Sequence, residues 1–171
     1  MHDGLLNYFA YGSNLHPQRM RARVPSAQPL GCAVLNGHQL RFHKRSIKDG
    51  SAKCDAHYTG HPADRLYGAV YRIAAGDKPA LDAIEGTGYG VVEQVVLVAG
   101  RRLPVFLYRA RPECVAAALA PFDWYHALVL SGARHHGLPD GYIAMLEAVS
   151  ATADPDPERA AAGFAQLRGA G

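Results

Sequence analysis

Asn7-Tyr8-Phe9-Ala10-Tyr11-Gly12-Ser13-Asn14-Leu15 reads as a strand that runs straight into a ligand-holding turn. Leu5, Leu6, Tyr8, Phe9 and Tyr11 are apolar or aromatic and suit a short buried strand. Gly12 ends that pattern; lacking a Cβ, it can take positive φ and lets a ligand approach the backbone. Ser13 and Asn14 are both good helix caps, and His16-Pro17-Gln18-Arg19-Met20-Arg21 can open a short helix with Pro17 in its first turn. Consecutive N–H groups at such a turn can converge on a carboxylate or an oxyanion. By shape alone this is also the ordinary strand, turn and capped helix of many α/β chains.

Outward from this stretch the first half reads as β-rich. Gly31–Phe42 carries Cys32, Val34, Leu35, Leu40 and Phe42, broken by Asn36-Gly37, which predicts a hairpin or tight turn. Residues 43–55 are polar and basic around Asp49-Gly50 and read as a loop. Ala56–Gly60 and Arg65–Arg72 are further strands. A helix follows, with Asp77 as N-cap, Lys78-Pro79 in its first turn, Ala80, Leu81 and Ile84 as its apolar stripe and Gly86 as its stop. Val91–Val98 and Leu103–Tyr108 are strands joined at Ala99-Gly100, and Pro104 places the second on an edge or bends its start. Tyr125–Arg134 and Gly141–Val149 have helical spacing, and the tail after Ala151 ends in an Ala-rich helix. The expected class is α+β: a small mixed or antiparallel β-barrel-like sheet with flanking helices. One domain is expected over residues 1–150, followed by a tail over 151–171 with a short helix.

Glu85, in Leu81-Asp82-Ala83-Ile84-Glu85-Gly86, is the carboxylate to weigh. It falls in the last helical turn, four residues after Leu81, and so near the buried stripe. The negative end of the helix and partial burial both disfavour its charged form. A carboxylate in such a place suits a general base or proton shuttle near neutral pH. The competing reading is an ordinary polar residue at a helix end. Asp82 falls on the other side of the helix and should be solvated; Glu93, in an apolar strand, should be exposed by alternation.

These two motifs together resemble the γ-glutamylcyclotransferase family, which has a Tyr-Gly-Ser-Asn loop after its first strand and an Asp-x-x-Glu-Gly stretch closing a short helix. Here they are Tyr11-Gly12-Ser13-Asn14 and Asp82-Ala83-Ile84-Glu85-Gly86. Tyr125, Leu130-Ser131-Gly132-Ala133 and Gly137-Leu138-Pro139-Asp140-Gly141-Tyr142 look like that family's late helical pair. The resemblance runs from Tyr8 to about Val149 and leaves out residues 43–60 and 151–171. The Tyr-Phe-Ala-Tyr form with Asn14 is closer to the γ-glutamyl-amino-acid and γ-glutamyl-amine branches than to the glutathione-specific branch. The resemblance implies the family's fold and a cofactor-free enzyme. In it, the α-amine of a γ-glutamyl amide attacks its own γ-carbonyl, releasing 5-oxoproline and an amine or amino acid. It makes Glu85 the catalytic acid/base, lines the substrate site with Tyr8, Phe9, Ala10, Tyr11, Gly12, Ser13 and Asn14, closes it with Tyr125, and suggests a homodimer. Tyr89 and Tyr108 are further candidates for the pocket, or simply pack in the sheet. Two alternatives stay open: a non-catalytic small-ligand module, and a cyclotransferase that removes a γ-glutamyl protecting group from a secondary metabolite.

Other constellations carry less. Ser13 lacks the Gly-x-Ser-x-Gly elbow of a nucleophile. Gly86-x-Gly88-x-Gly90 follows a helix and precedes a strand, the wrong order for a dinucleotide fingerprint, and reads as a flexible loop. His57/His61 do not fall on one helix face and His135/His136 suit a helix C-terminus, so no metal is expected. The chain has 171 residues and a net charge of +3, which does not by itself indicate nucleic acid. The Arg19, Arg21 and Arg23 cluster reads as a solvated helix face. Cys32, Cys54 and Cys114 are isolated, which suits a reducing compartment. Met1-His2-Asp3 lacks the lead of a signal peptide, and no apolar run approaches the ~20 residues of a membrane span. A cytoplasmic protein acting on a small molecule, with no membrane or nucleic-acid partner, is expected.

Overall fold

The computed structural model describes residues 4–168. β1 (Leu5–Ala10) lies at the centre of a five-stranded sheet. On one side it pairs antiparallel with β5 (Arg65–Ala74), which pairs antiparallel with β2 (Gln28–Asn36). On the other it runs parallel to β7 (Arg101–Ala110), the partner of β6 (Tyr89–Val98) across the Ala99-Gly100 turn. The sheet curls into a half-barrel, bringing its edge strands β2 and β6 together. Gly31 on β2 sits so close that a Cβ there would fall 3.0 Å from Val98 Cγ1. A separate antiparallel pair, β3 (His38–Arg45) and β4 (Ala52–Tyr58), packs beside β7, where Asp55 Oδ1 accepts the Ala110 N–H at 2.7 Å.

One expectation is corrected here, the loop over residues 43–55, and two open ones are narrowed. Gly37, with φ 71, makes a turn but not a hairpin: β2 and β3 belong to different sheets. Its N–H goes to Asp64 O and its carbonyl accepts from Thr59, so the turn hands the chain from one sheet to the other. Residues 43–55 are not a loop. β3 runs to Arg45 and β4 starts at Ala52, leaving only residues 46–51, turned at Gly50 with φ 73. Pro104 is not on an edge strand, since β7 lies between β1 and β6. Its missing N–H is tolerated because pairing with β1 is recorded at Phe106, past the proline.

The helices are α1 (Pro17–Arg23), α2 (Lys78–Glu85), α3 (Asp123–His135), α4 (Asp140–Glu147) and α5 (Pro157–Ala165). α3 buries Trp124, Tyr125, Leu128, Val129, Gly132 and Ala133, a helical stripe. Each fully buried side chain such as Leu128 contributes roughly 1.5–3 kcal/mol. The segment after Ala151 docks on this helix. Trp124 Nε1 donates to Asp154 at 2.8 Å, and Gly163 of α5 lies so near the indole that a Cβ would fall 2.4 Å from it.

Candidate active site

The strand β1 delivers Tyr8 to the pocket face and Phe9 to the opposite one, the ordinary consequence of period-two alternation. Gly12 then opens a 3-10 turn over Ser13–Leu15. Its φ is −109, so the expected need for positive φ is absent. What requires glycine is space, because a Cβ would lie 3.0 Å from Cys54 Cβ and 3.5 Å from Tyr125 Oη. Nor do Ser13 and Asn14 cap α1. His16 is its N-cap, with ring Nδ1 accepting from the Arg19 N–H at 3.4 Å. This frees Asn14 for another task. Its Nδ2 donates to Glu85 Oε1 at 2.9 Å and to Tyr8 Oη at 3.0 Å, and its Oδ1 accepts from Arg23 at 3.0 Å.

Glu85 is brought to Asn14 by the last turn of α2, which Gly86 stops at φ 78 with its N–H on Asp82 O. Its side chain is 15% exposed, and Arg23 Nη1 lies 3.6 Å from Oε1. Asp82 is half-exposed and engaged elsewhere, accepting from Lys78 at 2.8 Å and from Tyr108 Oη at 2.6 Å. Glu93 is exposed.

Tyrosines complete the recess. Tyr125 Oη accepts the Cys54 N–H at 3.0 Å, while Tyr89 Oη donates to Cys54 O at 2.6 Å, so two phenols clasp the backbone of one residue. Tyr11 Oη donates to Tyr108 O. Burial pushes the Tyr8, Tyr11, Tyr89, Tyr108 and Tyr125 phenols up, and they stay protonated donors. Burial likewise pushes the Cys54 thiol up to about 12, which removes it as a nucleophile. The recess measures about 30 Å³ and opens at Ser13, Glu85, Tyr89 and Tyr125 into a cleft of about 500 Å³. Among the described residues, no acceptor lies against the N–H groups of Gly12, Ser13 or Asn14.

Tyr125→Phe tests the clasp. It leaves the Cys54 N–H without its acceptor, but the group borders the recess, where water can replace the phenol. The expected loss is about 1 kcal/mol in urea unfolding, the low end for an orphaned donor; an unchanged midpoint would dismiss the clasp.

A family model described as the AIG2-like family matches residues 65–146. The γ-glutamylcyclotransferase of Mus musculus is 29% identical over 150 residues, spanning 83% of this chain and 77% of its own length. That of Homo sapiens is 28% identical over 152 residues with the same coverage. A solved structure described as a γ-glutamyl cyclotransferase superposes with a TM-score of 0.82 at 25% identity, covering 95% of this chain and 99% of that one. The chain is similar in sequence and fold to γ-glutamylcyclotransferases.

On this γ-glutamylcyclotransferase fold, the residues expected at the site divide. Tyr8, Tyr11, Gly12, Ser13, Asn14, Glu85, Tyr89, Tyr108 and Tyr125 all line the recess. Phe9 and Ala10 do not; both are fully buried, and Phe9 packs against Gly68, where a Cβ would fall 2.7 Å from the ring. Cys54, absent from the expected set, lines the recess, and the cleft adds Lys44 and Lys53 from β3 and β4. The arginine cluster is not simply a solvated face. Arg21 is exposed, but Arg19 Nε donates to Ser13 Oγ at 3.0 Å and Arg23 reaches Asn14 and Glu85. Arg19, pressed by burial and by Arg23, is lowered to about 10 and remains a cation.

Gly88 of the glycine-rich loop is buried against the Lys44 side chain. The histidines pair differently from the sequence spacing. His57 groups with His43 and Asp55, ligand atoms within 4.8 Å of one another, not with His61. Asp55 is already engaged there, accepting from the Ala110 N–H and sharing a 2.7 Å hydrogen bond with His43 Nε2. His136, past the end of α3, holds Leu15 O at 2.9 Å. Among the described residues, no helix is long and apolar enough to cross a membrane.

Proposed function

We propose that this protein cyclises a γ-glutamyl amide to 5-oxoproline, freeing an amine or amino acid, with Glu85 as general base and then general acid. The observation that carries the reading is the Glu85 carboxylate held by the Asn14 amide at 2.9 Å, where the tyrosine-lined recess meets the cleft. The glutamyl end enters at the recess and the leaving group lies in the cleft. An α-ammonium cannot attack, since its lone pair is bound to a proton. Glu85 takes that proton, and the amine nitrogen adds to the γ-carbonyl carbon. The carbonyl oxygen becomes an oxyanion, received by the N–H groups of Gly12, Ser13 and Asn14, which have no acceptor among the described residues. Glu85 returns its proton to the departing nitrogen as the C–N bond to the leaving group breaks; the surplus proton on the ring nitrogen then passes through Glu85 to the freed amine, which leaves as an ammonium. Nucleophile and electrophile belong to one molecule, so holding the chain in its ring-forming shape supplies much of the acceleration. No cofactor is needed for any step.

Support comes from the similarity to γ-glutamylcyclotransferases and from the protonated phenols, which can orient a substrate. Release of 5-oxoproline from γ-glutamyl-alanine, γ-glutamyl-ε-lysine and glutathione tests the reading. Equimolar 5-oxoproline and free amine from at least one is expected, with the γ-glutamyl-amino-acid or γ-glutamyl-amine types preferred over glutathione. Binding without release from any of them points to the small-ligand module instead.

A further inference from the structure

The cleft beyond Glu85 is more basic than the proposed chemistry requires. Arg19, Arg23, Lys44, Lys48, Lys53 and Arg159 line it, against Asp49 and Glu85. Three of these cations are answered within the protein: Arg23 by Glu85 at 3.6 Å, Lys53 by Asp49 at 2.9 Å, and Arg159 by Asp154 and Asp156. Among the described residues the Arg19 guanidinium donates to neutral oxygens, Ser13 Oγ at 3.0 Å and Gln166 Oε1 at 2.8 Å.

Lys44 is the sharpest case. It is 5% exposed, and among the described residues no carboxylate lies within ion-pair reach of its ammonium. The ammonium sits 4.6 Å over the Tyr89 ring. Gly88 makes room for it, since a Cβ there would fall 2.7 Å from Lys44 Cε and 2.9 Å from Nζ. Burying a cation is costly without a counter-charge, and a ring face offsets only part of that. The nearby acids are taken: Glu85 by Asn14 and Arg23, Asp49 by Lys53 and Ser51. On another wall, Arg19 and Lys53 lie 5.8 and 4.9 Å over the Trp124 ring. The cleft therefore offers two positive points, one beside Tyr89 and one beside Trp124.

Resting on the cyclotransferase reading, we propose that the cleft selects a leaving amino acid with a second acid group, carboxylate or phosphate, received by Lys44 and Arg19. One wall takes the α-carboxylate and the other the second acid. A leaving group that presents a free ammonium meets the same charge excess as repulsion.

The test compares γ-glutamyl-glutamate, γ-glutamyl-O-phosphoserine, γ-glutamyl-alanine and γ-glutamyl-ethylamide on the full chain. At least one diacid is expected to exceed the alanine compound about tenfold in kcat/KM, the worth of one charge-assisted hydrogen bond. That gap should narrow as salt rises, and the better diacid names the acid group. In Lys44→Met the diacid-to-alanine ratio should fall at least about fivefold. Equal use of all four compounds, or a ratio indifferent to Lys44→Met, overturns the proposal and leaves the cyclotransferase reading standing. Calorimetry on Glu85→Gln reads recognition without turnover. Tightest binding of a diacid there upholds the anionic selection even if no 5-oxoproline is ever released, which would sink the cyclotransferase reading alone. Binding blind to charge overturns the selection.

Discussion

Glu85→Gln is expected to cut 5-oxoproline release about a thousandfold while the chain stays folded. Glutamine keeps the shape of the side chain and an Oε1 that can still accept the Asn14 Nδ2–H, now 2.9 Å away. It cannot take a proton from the α-amine or return one to the leaving nitrogen. Positioned acid–base groups contribute ~10²–10⁴-fold, and here one group serves in both directions. The structural cost is small by comparison. The Arg23–Glu85 pair is partly exposed at 3.6 Å, and such pairs contribute at most about 1 kcal/mol. Thermal melting and calorimetric binding of a γ-glutamyl compound should therefore change little. Asp82→Asn supplies the contrast: that carboxylate already holds Lys78 and Tyr108, so its loss should lower turnover less than about tenfold. If Glu85→Gln kept a tenth of the activity, or Asp82→Asn matched its loss, the base would lie elsewhere.

How far the site is legible in the sequence depends on whether a residue's role is written locally. The first turn and α2 are local. A strand pattern ending at Gly12, and an apolar stripe stopped at Gly86, announce themselves within a dozen residues. The meeting of Asn14 with Glu85 is not local and became an expectation only through resemblance. That same resemblance brought in Phe9 and Ala10 with their neighbours, where strand alternation alone would have set Phe9 opposite Tyr8. β3 and β4 went unread as strands through residues 43–55 for a different reason. Strand recognition looks for apolar residues on the inward face, and here Lys44 and Lys53 face the cleft. Cys54 left no signal at all, since its part is played by its peptide N–H and C=O between Tyr125 and Tyr89. A backbone role does not select a side chain.

Gly132→Ala should destabilise the protein although alanine is the better helix former. In an open helix position the exchange gains up to about 1 kcal/mol. Gly141, in α4, is such a position: nothing lies within 4 Å of a Cβ built there, so Gly141→Ala should raise the melting temperature slightly. At Gly132 the new Cβ would fall 2.6 Å from His16 N, Leu15 C and Leu15 Cβ. Two of these atoms are backbone, and that backbone is pinned, with Leu15 O accepting from Tyr71 Oη at 3.2 Å and facing His136 Nε2 at 2.9 Å. Overpacking of this kind costs about 3 kcal/mol, so the net loss is about 2 kcal/mol and the midpoint falls by roughly 4–8 °C. The consequence extends to chemistry, because the displaced residues directly follow Ser13 and Asn14. A shift that carries Asn14 away from Glu85 by about 1 Å should lower kcat by ~10²-fold, as misplacement of catalytic groups does. Thermal melting and turnover measured on both alanine variants separate propensity from contact. Equal and upward shifts in the two would mean that α3 does not press on the first turn.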